Sequence, residues 1–485
     1  MRAAMPVTVE LRGAGDRQLR EIVREGFPQL VRELARHGRA LPRHVEREFK
    51  AYLGCGDAAL GFAWLECGSC KHHRLVLFSC KTRGFCPSCG GRRMAEGAAN
   101  LVDKVIPRVA TRQWVLTVPW KRRWLLARRP DLADGVLRAA LRAVERWYRG
   151  ATGRPGGRCG SVTAIQRFGS AVNLNLHFHV VHIDGVFDRG ADGALRFFRA
   201  APTTEDIEGL VVEIALGCER WLARQGVAGD VEDAEPDDDA QGVLQLASLG
   251  GTVALGERAG RKVRRVVMLG GKEFALAPRC ATFEGYNVHA NVALPAHDRK
   301  GLERLCRYVL RPPLAVDRIE RRPDGRARVG MKRVWSDGTG AIELSPLELA
   351  EKLAAIVPPP RANQVLYHGV LAGNAAWRKE VVPKAASSAE AAREARLSLR
   401  LVKKDGKRRA GGPAPGDGSI CWAELLKRVF AVDGWACPSC GERMHLRAVV
   451  DGAGAPTRIL TGLLRARGPP VAPPEGEGRA VYAGA

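Results

Sequence analysis

The chain has 485 residues, which is too long for one ordinary hydrophobic core and predicts about two to four structural units. Its 77 lysines and arginines exceed its 52 aspartates and glutamates and give a net charge of +25, so a polyanion such as DNA is the expected partner. Residues 1–16 lack the apolar run of a signal peptide, and no stretch of about 18 apolar residues occurs in the chain. We therefore expect a cytoplasmic, nucleoid-associated protein without a membrane partner, in which clustered cysteines bind metal rather than form disulfides.

The first elements of the chain are predicted to be helical. Leu19, Ile22, Leu30 and Leu34 are spaced for one buried helix face, and Pro28 predicts an interruption of that face. Further along, residues 111–118 have the β-branched and aromatic composition of a strand, and residues 131–147 have helical spacing. Strands are also predicted over 161–168, 173–187 and 286–294.

Two Cys-x-x-Cys pairs follow the first helices. Cys67 with Cys70 and Cys86 with Cys89 are separated by 15 residues, which is the spacing of two knuckles around one metal ion. We predict one structural zinc ion bound by these four thiolates, with Cys80 as the alternate ligand. A larger metal cluster stays open as an alternative, because Cys55, His72 and His73 are further candidate ligands.

The cysteine-rich segment is also basic, as a DNA-contacting surface would be, although an ordinary solvated face has the same composition. The candidate DNA-binding residues of this segment are Lys81, Arg83, Arg92 and Arg93. A further pair, Cys437 and Cys440, provides only half of a metal site, for which Cys421 and His445 are candidate partners.

A histidine-bearing strand is predicted over 173–180, where polar and apolar residues alternate without a break. This alternation places His177 and His179 side by side on one face, with Asn173 and Asn175. The apolar residues of the run, Leu174, Leu176, Phe178 and Val180, point into the core. Two imidazoles in this arrangement can bind one divalent cation that polarises a phosphate oxygen. Two ordinary surface histidines are the alternative. A metallohydrolase motif of the His-x-His-x-Asp-His type is disfavoured because Val181 occupies the position of its aspartate.

A tyrosine-bearing helix is predicted over 298–310, and Pro312 ends it. Tyr308 projects away from the apolar stripe of this helix and lies beside arginines, which are suited to hold a phosphate while a phenol attacks it. The alternative is an aromatic side chain that caps the core. The candidate DNA-binding residues here are Arg304, Arg307 and Arg311.

Several segments resemble, in order, the rolling-circle insertion-sequence transposases (IS91-like) of the HUH nuclease superfamily. The run 78–94 (FSCKTRGFCPSCGGRRM) is similar to their transposase zinc-binding domain. The matching segments of the second part are 112–116 (RQWVL), 176–180 (LHFHV), 184–187 (DGVF), 307–313 (RYVLRPP), 367–372 (YHGVLA) and 436–441 (ACPSCG).

The resemblance implies an α+β fold: an antiparallel HUH-nuclease sheet flanked by helices, a small N-terminal helical and zinc-binding module, and a C-terminal zinc knuckle as a further candidate. The implied divisions are a helical and zinc-binding domain (1–105), a nuclease domain (106–378) with an insertion at about 190–280, a basic flexible linker (379–420), a small Cys-x-x-Cys unit (421–455) and a disordered tail (456–485).

The resemblance further implies that His177 and His179 bind Mg²⁺ or Mn²⁺ and that Tyr308 cuts one strand of DNA, single-stranded or hairpin, at the ends of the element. A 5′-phosphotyrosine and a free 3′-OH would result. His289 is the candidate third metal ligand. Family members with two tyrosines carry them one helical turn apart, but this chain has Arg304 and Pro312 at those places, which favours a single nucleophile unless Tyr367 takes part. The alternatives are a plasmid replication initiator or relaxase, and a zinc-dependent DNA-binding regulator without catalysis.

Overall fold

The structure, a computed structural model, describes residues 7–9, 14–227, 239–268, 277–383, 434–451, 454 and 456–459. The helices are α1 (Ala14–Arg36), α2 (Arg43–Gly54), α3 (Pro87–Asn100), α4 (Trp120–Arg128), α5 (Pro130–Thr152), α6 (Thr204–Arg224), α7 (Ala240–Gly250), α8 (Arg299–Val309), α9 (Pro346–Ile356) and α10 (Arg378–Val381). The strands are β1 (Val7–Val9), β2 (Phe62–Cys67), β3 (His73–Leu77), β4 (Thr111–Thr117), β5 (Gly160–Phe168), β6 (Leu174–Ile183), β7 (Gly185–Arg189), β8 (Leu195–Arg199), β9 (Arg264–Val267), β10 (Cys280–Phe283), β11 (Tyr286–His289), β12 (Ala293–Leu294), β13 (Ile319–Arg321), β14 (Ala327–Gly330), β15 (Thr339–Leu344), β16 (Val365–Gly369) and β17 (Met444–Val450).

A seven-stranded sheet forms the centre of the molecule. Its strands follow the order β10-β11-β4-β6-β5-β16, with β12 also paired to β4, and every pairing is antiparallel. The other sheets are β1-β3-β2-β17, β13-β14-β15-β9 and the hairpin β7-β8. The sequence-based expectation of an α+β chain with antiparallel sheets is confirmed at this level.

The two faces of the central sheet are covered by different helices. Leu174, Leu176, Phe178 and Val180 of β6 are buried on one face, in a core shared with α5 and α6. Val181, which alternates with them, belongs to the core beneath α8 on the opposite face. The alternation in the sequence of β6 is typical of a strand with one covered face, yet the second face, which carries His177 and His179, is buried as well.

Helix α1 runs through Pro28 without a break, so the predicted interruption at this residue is wrong. Leu30 and Leu34 continue the buried face that Leu19 and Ile22 begin, and all four side chains are at most 1% exposed. Burial of this apolar stripe outweighs the cost of a proline in a helix interior, about 3 kcal/mol, which combines a lost backbone hydrogen bond with a steric clash.

The predicted insertion at about 190–280 contributes directly to the core of the nuclease sheet. Ile207, Leu210, Ile214 and Leu222 of α6 are buried in the same cluster as β6. A Thr203–Asp206 capping box starts this helix: each side chain bonds a backbone N–H of the other residue. At least this part of the segment is a layer of the domain rather than a peripheral addition.

The small C-terminal unit does not stand apart from the N-terminal module. Strand β17 pairs antiparallel with β2, from Met444 opposite Cys67 to Val450 opposite Phe62. Residues 228–238 of the predicted insertion, residues 384–420 of the basic linker, Cys421 and residues 460–485 of the tail lie outside the described residues. No helix among the described residues is long and apolar enough to cross a membrane.

Candidate metal centres and active site

The two histidines of β6 face each other on the side of the sheet that α8 covers. The Nε2 atoms of His177 and His179 are 3.1 Å apart, and both side chains are buried. Neighbouring ligands of an octahedral cation bound at about 2.1 Å are about 3 Å apart, so this separation fits two ligands of one ion.

The remaining ring nitrogens of the histidines are engaged on the protein side. The Nδ1 atom of His177 lies 2.9 Å from the carbonyl oxygen of Asn175, to which it can only donate. The Nδ1 atom of His179 lies 2.9 Å from the side-chain amide of Gln113 on β4. Both contacts fix the orientation of the rings. At His177 the donated Nδ1 proton leaves the Nε2 lone pair for an ion, whereas Nδ1 of His179 accepts from the Gln113 amide nitrogen, so neutral His179 carries its proton on Nε2.

Burial keeps both imidazoles neutral at physiological pH. Desolvation, with smaller contributions from Arg311 and Arg123, lowers the pKa of His177 to about 4. Desolvation, together with His177 and Arg311, lowers the pKa of His179 to about 2. Neutral imidazole is the form that binds a metal ion.

The same shifts predict how stability depends on pH. Desolvation lowers the pKa of His182 to about 4 as well, and the ordinary value of all three histidines is 6.5. Because their pKa values are lower in the folded state, the stability they contribute is complete above pH 6.5 and is lost as the pH falls towards 4. We expect the free energy of unfolding, measured by urea titration without divalent cations, to fall over this range. A double variant, His177→Gln with His179→Gln, should show a shallower fall; an unchanged slope would contradict the assignment.

Tyr308 lies beside the histidine pair. Its ring centre is 5.5 Å from that of His179, and the two rings are almost perpendicular at 86°. Helix α8 is held over the sheet by Gln166, whose Nε2 atom donates a 2.7 Å hydrogen bond to the carbonyl oxygen of Val309. The half-buried tyrosine therefore shares a pocket with the two imidazoles.

Two cations flank the tyrosine ring. The guanidinium carbon of Arg311 is 5.0 Å from the ring centre and the Nζ atom of Lys332 is 4.5 Å from it. The Nε atom of Arg311 is buried without a hydrogen-bond partner. Of the other predicted arginines, Arg304 is exposed, and Arg307 forms a 2.7 Å ion pair with Glu303. Lys332 was not among the residues predicted from the sequence.

The structure does not bring His289 to the pair. His289 is opposite Val115 of β4, which is opposite His179, so a whole strand separates the two histidines and their Cα atoms are about 10 Å apart. Among the described residues, the groups of three or more His, Cys, Asp or Glu side chains close enough to share an ion consist of cysteines alone. In this arrangement His289 is not grouped with the pair, and its role as the third ligand stays a prediction.

The other residues of the histidine motif lie on the opposite face. The His182 ring stacks on Tyr148 at 4.8 Å, and the Asp184 carboxylate accepts hydrogen bonds from Arg112 at 2.8 and 3.0 Å. The His-x-His-x-Asp-His type of site is thus excluded by geometry as well as by Val181. Tyr367 is on β16, two strands from β6, and is 39% exposed.

Eight of the cysteines that the structure describes form two groups, each with four sulfur atoms within 4.8 Å of one another. The inner cysteine group consists of Cys55, Cys80, Cys86 and Cys89, and the outer cysteine group of Cys67, Cys70, Cys437 and Cys440. Sulfur atoms in contact are 3.4 to 3.8 Å apart in the inner group, and 3.5 and 3.6 Å apart in the outer group. A tetrahedral zinc ion with bonds of about 2.3 Å holds its thiolates about 3.8 Å apart, whereas a disulfide is about 2.0 Å long.

The predicted grouping of Cys67 and Cys70 with Cys86 and Cys89 around one ion is therefore wrong. The hairpin of β2 and β3 turns at Cys67 and Cys70, and β3 then carries the chain away from that turn by five residues, or about 16 Å. Cys86 and Cys89 begin α3 beyond this distance, where Cys55 follows α2. Cys80, expected as an alternate ligand, lies in the inner group. His72 and His73 belong to neither group.

A basic cleft lies between the cysteine module and the nuclease sheet. A cavity of about 150 Å³ is bounded by Arg83 and Arg93 from the module, by Arg167 of β5 and by Arg311. Lys81 and Arg92 lie with Arg83 and Arg93 on the exposed surface of the module. The cleft is thus lined by arginines from two basic segments that are far apart in the sequence, the cysteine module and the end of α8.

Two comparisons with protein families identify the class of molecule. Residues 22–118 match the transposase zinc-binding domain, and residues 160–379 match a transposase family. The protein is a DNA transposase, and DNA is its partner. The chain belongs to the IS91-like transposases and carries their zinc-binding domain at its N-terminal end. This domain and the two cysteine groups support structural zinc. The chain matches no curated protein and no solved structure.

Proposed function

We propose that this transposase is a metal-dependent single-strand DNA endonuclease and strand transferase of the HUH type, with Tyr308 as its nucleophile. The observation that carries the proposal is the shared pocket: two neutral imidazoles with facing Nε2 atoms, a phenol ring 5.5 Å from one of them, and two cations on that ring. Metal, nucleophile and phosphate-binding groups are the components that phosphodiester cleavage requires.

In the proposed reaction the phenol oxygen of Tyr308 attacks phosphorus and the bond from phosphorus to the 3′ oxygen breaks. The phenol loses its proton and the departing oxygen gains one, which leaves a 5′-phosphotyrosine and a free 3′-OH. Arg311 and Lys332 stabilise the negative charge that develops during the attack. Strand transfer reverses these steps when a 3′-OH attacks the phosphotyrosine.

The residues of the pocket fit a divalent cation. A cation held by His177 and His179 supplies Lewis-acid polarisation of a non-bridging phosphate oxygen. Mg²⁺ and Mn²⁺ prefer oxygen among their remaining ligands, and two buried amide oxygens on this face, Oδ1 of Asn175 and Oε1 of Gln166, have no hydrogen-bond partner. Gln166 is directly opposite His177 in the sheet. For the zinc-binding domain, we propose that the inner cysteine group binds one structural zinc ion.

The test uses labelled single strands that tile both ends of the DNA element carrying this gene. Full-length protein with Mn²⁺ should form a covalent adduct that survives denaturation, and omission of the divalent cation should prevent it. His179→Ala should reduce adduct formation strongly while the zinc content stays unchanged. DNA binding without any adduct would instead support a non-catalytic regulator.

A replication initiator or relaxase would cut in the same way, so a second readout separates it from a transposase. An unlabelled single-stranded target is added after cleavage, and joined products are sequenced. Joining at the element ends supports strand transfer, and the matched transposase families favour that outcome. Cleavage and resealing without insertion would support the initiator or relaxase.

Replacement of Gln113 tests the support of the metal site. Gln113→Ala removes the amide that orients His179 and should weaken Mn²⁺ binding by about 10–100-fold, as loss of such contacts does at other metal sites. The measurement is a Mn²⁺ titration followed by electron paramagnetic resonance. Gln241→Ala is the matched control, because Gln241 is a buried amide that donates to α9 and its C-terminal end, away from the site. Equal affinities of the two variants would contradict the role of Gln113.

A further inference from the structure

The outer cysteine group joins parts of the chain that are far apart in sequence. Cys67 and Cys440 are separated by 373 residues and their sulfur atoms by 3.6 Å; Cys70 and Cys437 are separated by 367 residues and 3.5 Å. The matched zinc-binding domain ends at residue 118 and the matched transposase family at residue 379. Neither match therefore contains Cys437 and Cys440.

The two halves of the group adopt the same turn. The backbone N–H of Cys67 donates to the carbonyl of His72, and that of Lys71 donates back to the carbonyl of Cys67. The same two bonds recur at Cys437, with Glu442 and Gly441. Lys71 and Gly441, each directly after the second cysteine, both have positive φ, at 57° and 76°. A lysine rarely adopts this left-handed backbone conformation. Because the conformation recurs at equivalent positions of the two turns, we infer two matching metal knuckles.

The surroundings of the group hold the two knuckles together. Strand β17 pairs with β2 directly beyond the cysteines, and Leu65, Met444 and Trp435 pack around the sulfur atoms. The Arg447 guanidinium lies 4.7 Å from the ring centre of Trp64. The backbone N–H groups of Ser69 and Cys70 also point at the Cys67 sulfur.

We propose that the outer cysteine group is a second structural zinc site, which clasps strand β17 into the N-terminal sheet. The C-terminal knuckle is then one half of a site whose other half is in the N-terminal module, and its predicted partners Cys421 and His445 are not needed. Strand β17 is then part of the N-terminal sheet rather than of a separate C-terminal unit. Since this zinc is remote in sequence from Tyr308 and His179, the proposal does not depend on the nuclease mechanism.

Zinc stoichiometry provides the first test. Native mass spectrometry of the full-length chain, purified with zinc under reducing conditions, should show two zinc ions per chain. The double variant Cys437→Ser with Cys440→Ser should keep one, and so should Cys67→Ser with Cys70→Ser. Cys280→Ser, a cysteine outside both groups, is the control and should keep two. A single zinc ion in the wild type, or two in either double variant, would overturn the proposal.

The second test asks whether this zinc holds the C-terminal segment. A protease site is inserted between residues 384 and 433 of the full-length chain, and the purified protein is cut there. The two fragments should co-elute on size exclusion, and the single variant Cys440→Ser, which changes an exposed side chain, should weaken their association at least about tenfold. Fragments that stay together equally well in the wild type and in Cys440→Ser would show that strand pairing alone holds β17, and the zinc clasp would be wrong.

Discussion

Replacement of Tyr308 by phenylalanine is expected to abolish the covalent DNA adduct. The variant keeps the ring that packs near His179, 5.5 Å between ring centres, and loses only the oxygen that attacks phosphorus. Removal of a nucleophile from an otherwise intact site commonly reduces the rate by at least about 10³-fold. Nicking of a labelled single strand in Mn²⁺ measures the effect, and the affinity for that strand should change little.

Tyr367→Phe is the matched control for this experiment. Tyr367 is a partly exposed tyrosine on the edge strand β16, and burial raises the pKa of its phenol. We expect the Tyr367 variant to keep its adduct and its nicking rate. If the Tyr367 variant lost the adduct while the Tyr308 variant kept it, Tyr367 and not Tyr308 would be the nucleophile.

Replacement of Asp184 by alanine is expected to have the largest effect on stability. Its carboxylate is fully buried and accepts two hydrogen bonds from Arg112, which is 3% exposed, and a third from Tyr148 at 2.8 Å. The variant leaves the Arg112 charge buried without its partner, which typically costs about 3–5 kcal/mol. Urea unfolding, followed by tryptophan fluorescence, measures the loss.

Asp192→Ala is the control for the buried pair. Asp192 forms an ion pair with Arg196 in which both side chains are 53% exposed, so its removal should change the free energy of unfolding by less than about 1 kcal/mol. Similar effects of the two substitutions would mean that the Arg112–Asp184 pair is not the anchor of this face of the sheet.

The histidine and tyrosine elements could be predicted because each depends on local periodicity. Alternation by two fixes which side chains of β6 share a face, and the helical period separates Tyr308 from the apolar stripe of α8. Neither the strand period nor the helical period predicts that α8 covers the face of the sheet that carries the histidines. That relation depends on the packing of α8 against β5, where Gln166 bonds the backbone of Val309.

The residues that surround the site could not be predicted in this way. Gln113 reaches His179 because β4 pairs with β6 in a particular register, and Lys332 reaches Tyr308 from the segment that follows β14. Both contacts join positions that are far apart in the sequence. Of the three arginines predicted beside Tyr308, only Arg311 lies at its ring, and the second cation there is Lys332.

The cysteine pairing failed for a related reason. A Cys-x-x-Cys spacing defines one knuckle, but the identity of the second knuckle depends on how the sheet is assembled. Strand β17, near the other end of the chain, pairs with β2. The knuckle beside Cys67 and Cys70 is therefore Cys437 with Cys440, and not Cys86 with Cys89, which is nearer in sequence. A signal was present in the sequence, since Cys67-Gly-Ser-Cys70 and Cys437-Pro-Ser-Cys440 are two similar knuckles.

The most direct measurement of the central claim is the identity of the residue that becomes attached to DNA. Full-length protein is incubated with Mn²⁺ and a single strand that carries an element end, and the denatured adduct is digested with protease and nuclease. Mass spectrometry should find the nucleotide remnant on the peptide that contains Tyr308, linked through a 5′ phosphate. A remnant on any other residue, or a linkage through a 3′ phosphate, would contradict the proposal that the histidine pair and Tyr308 form one nuclease site.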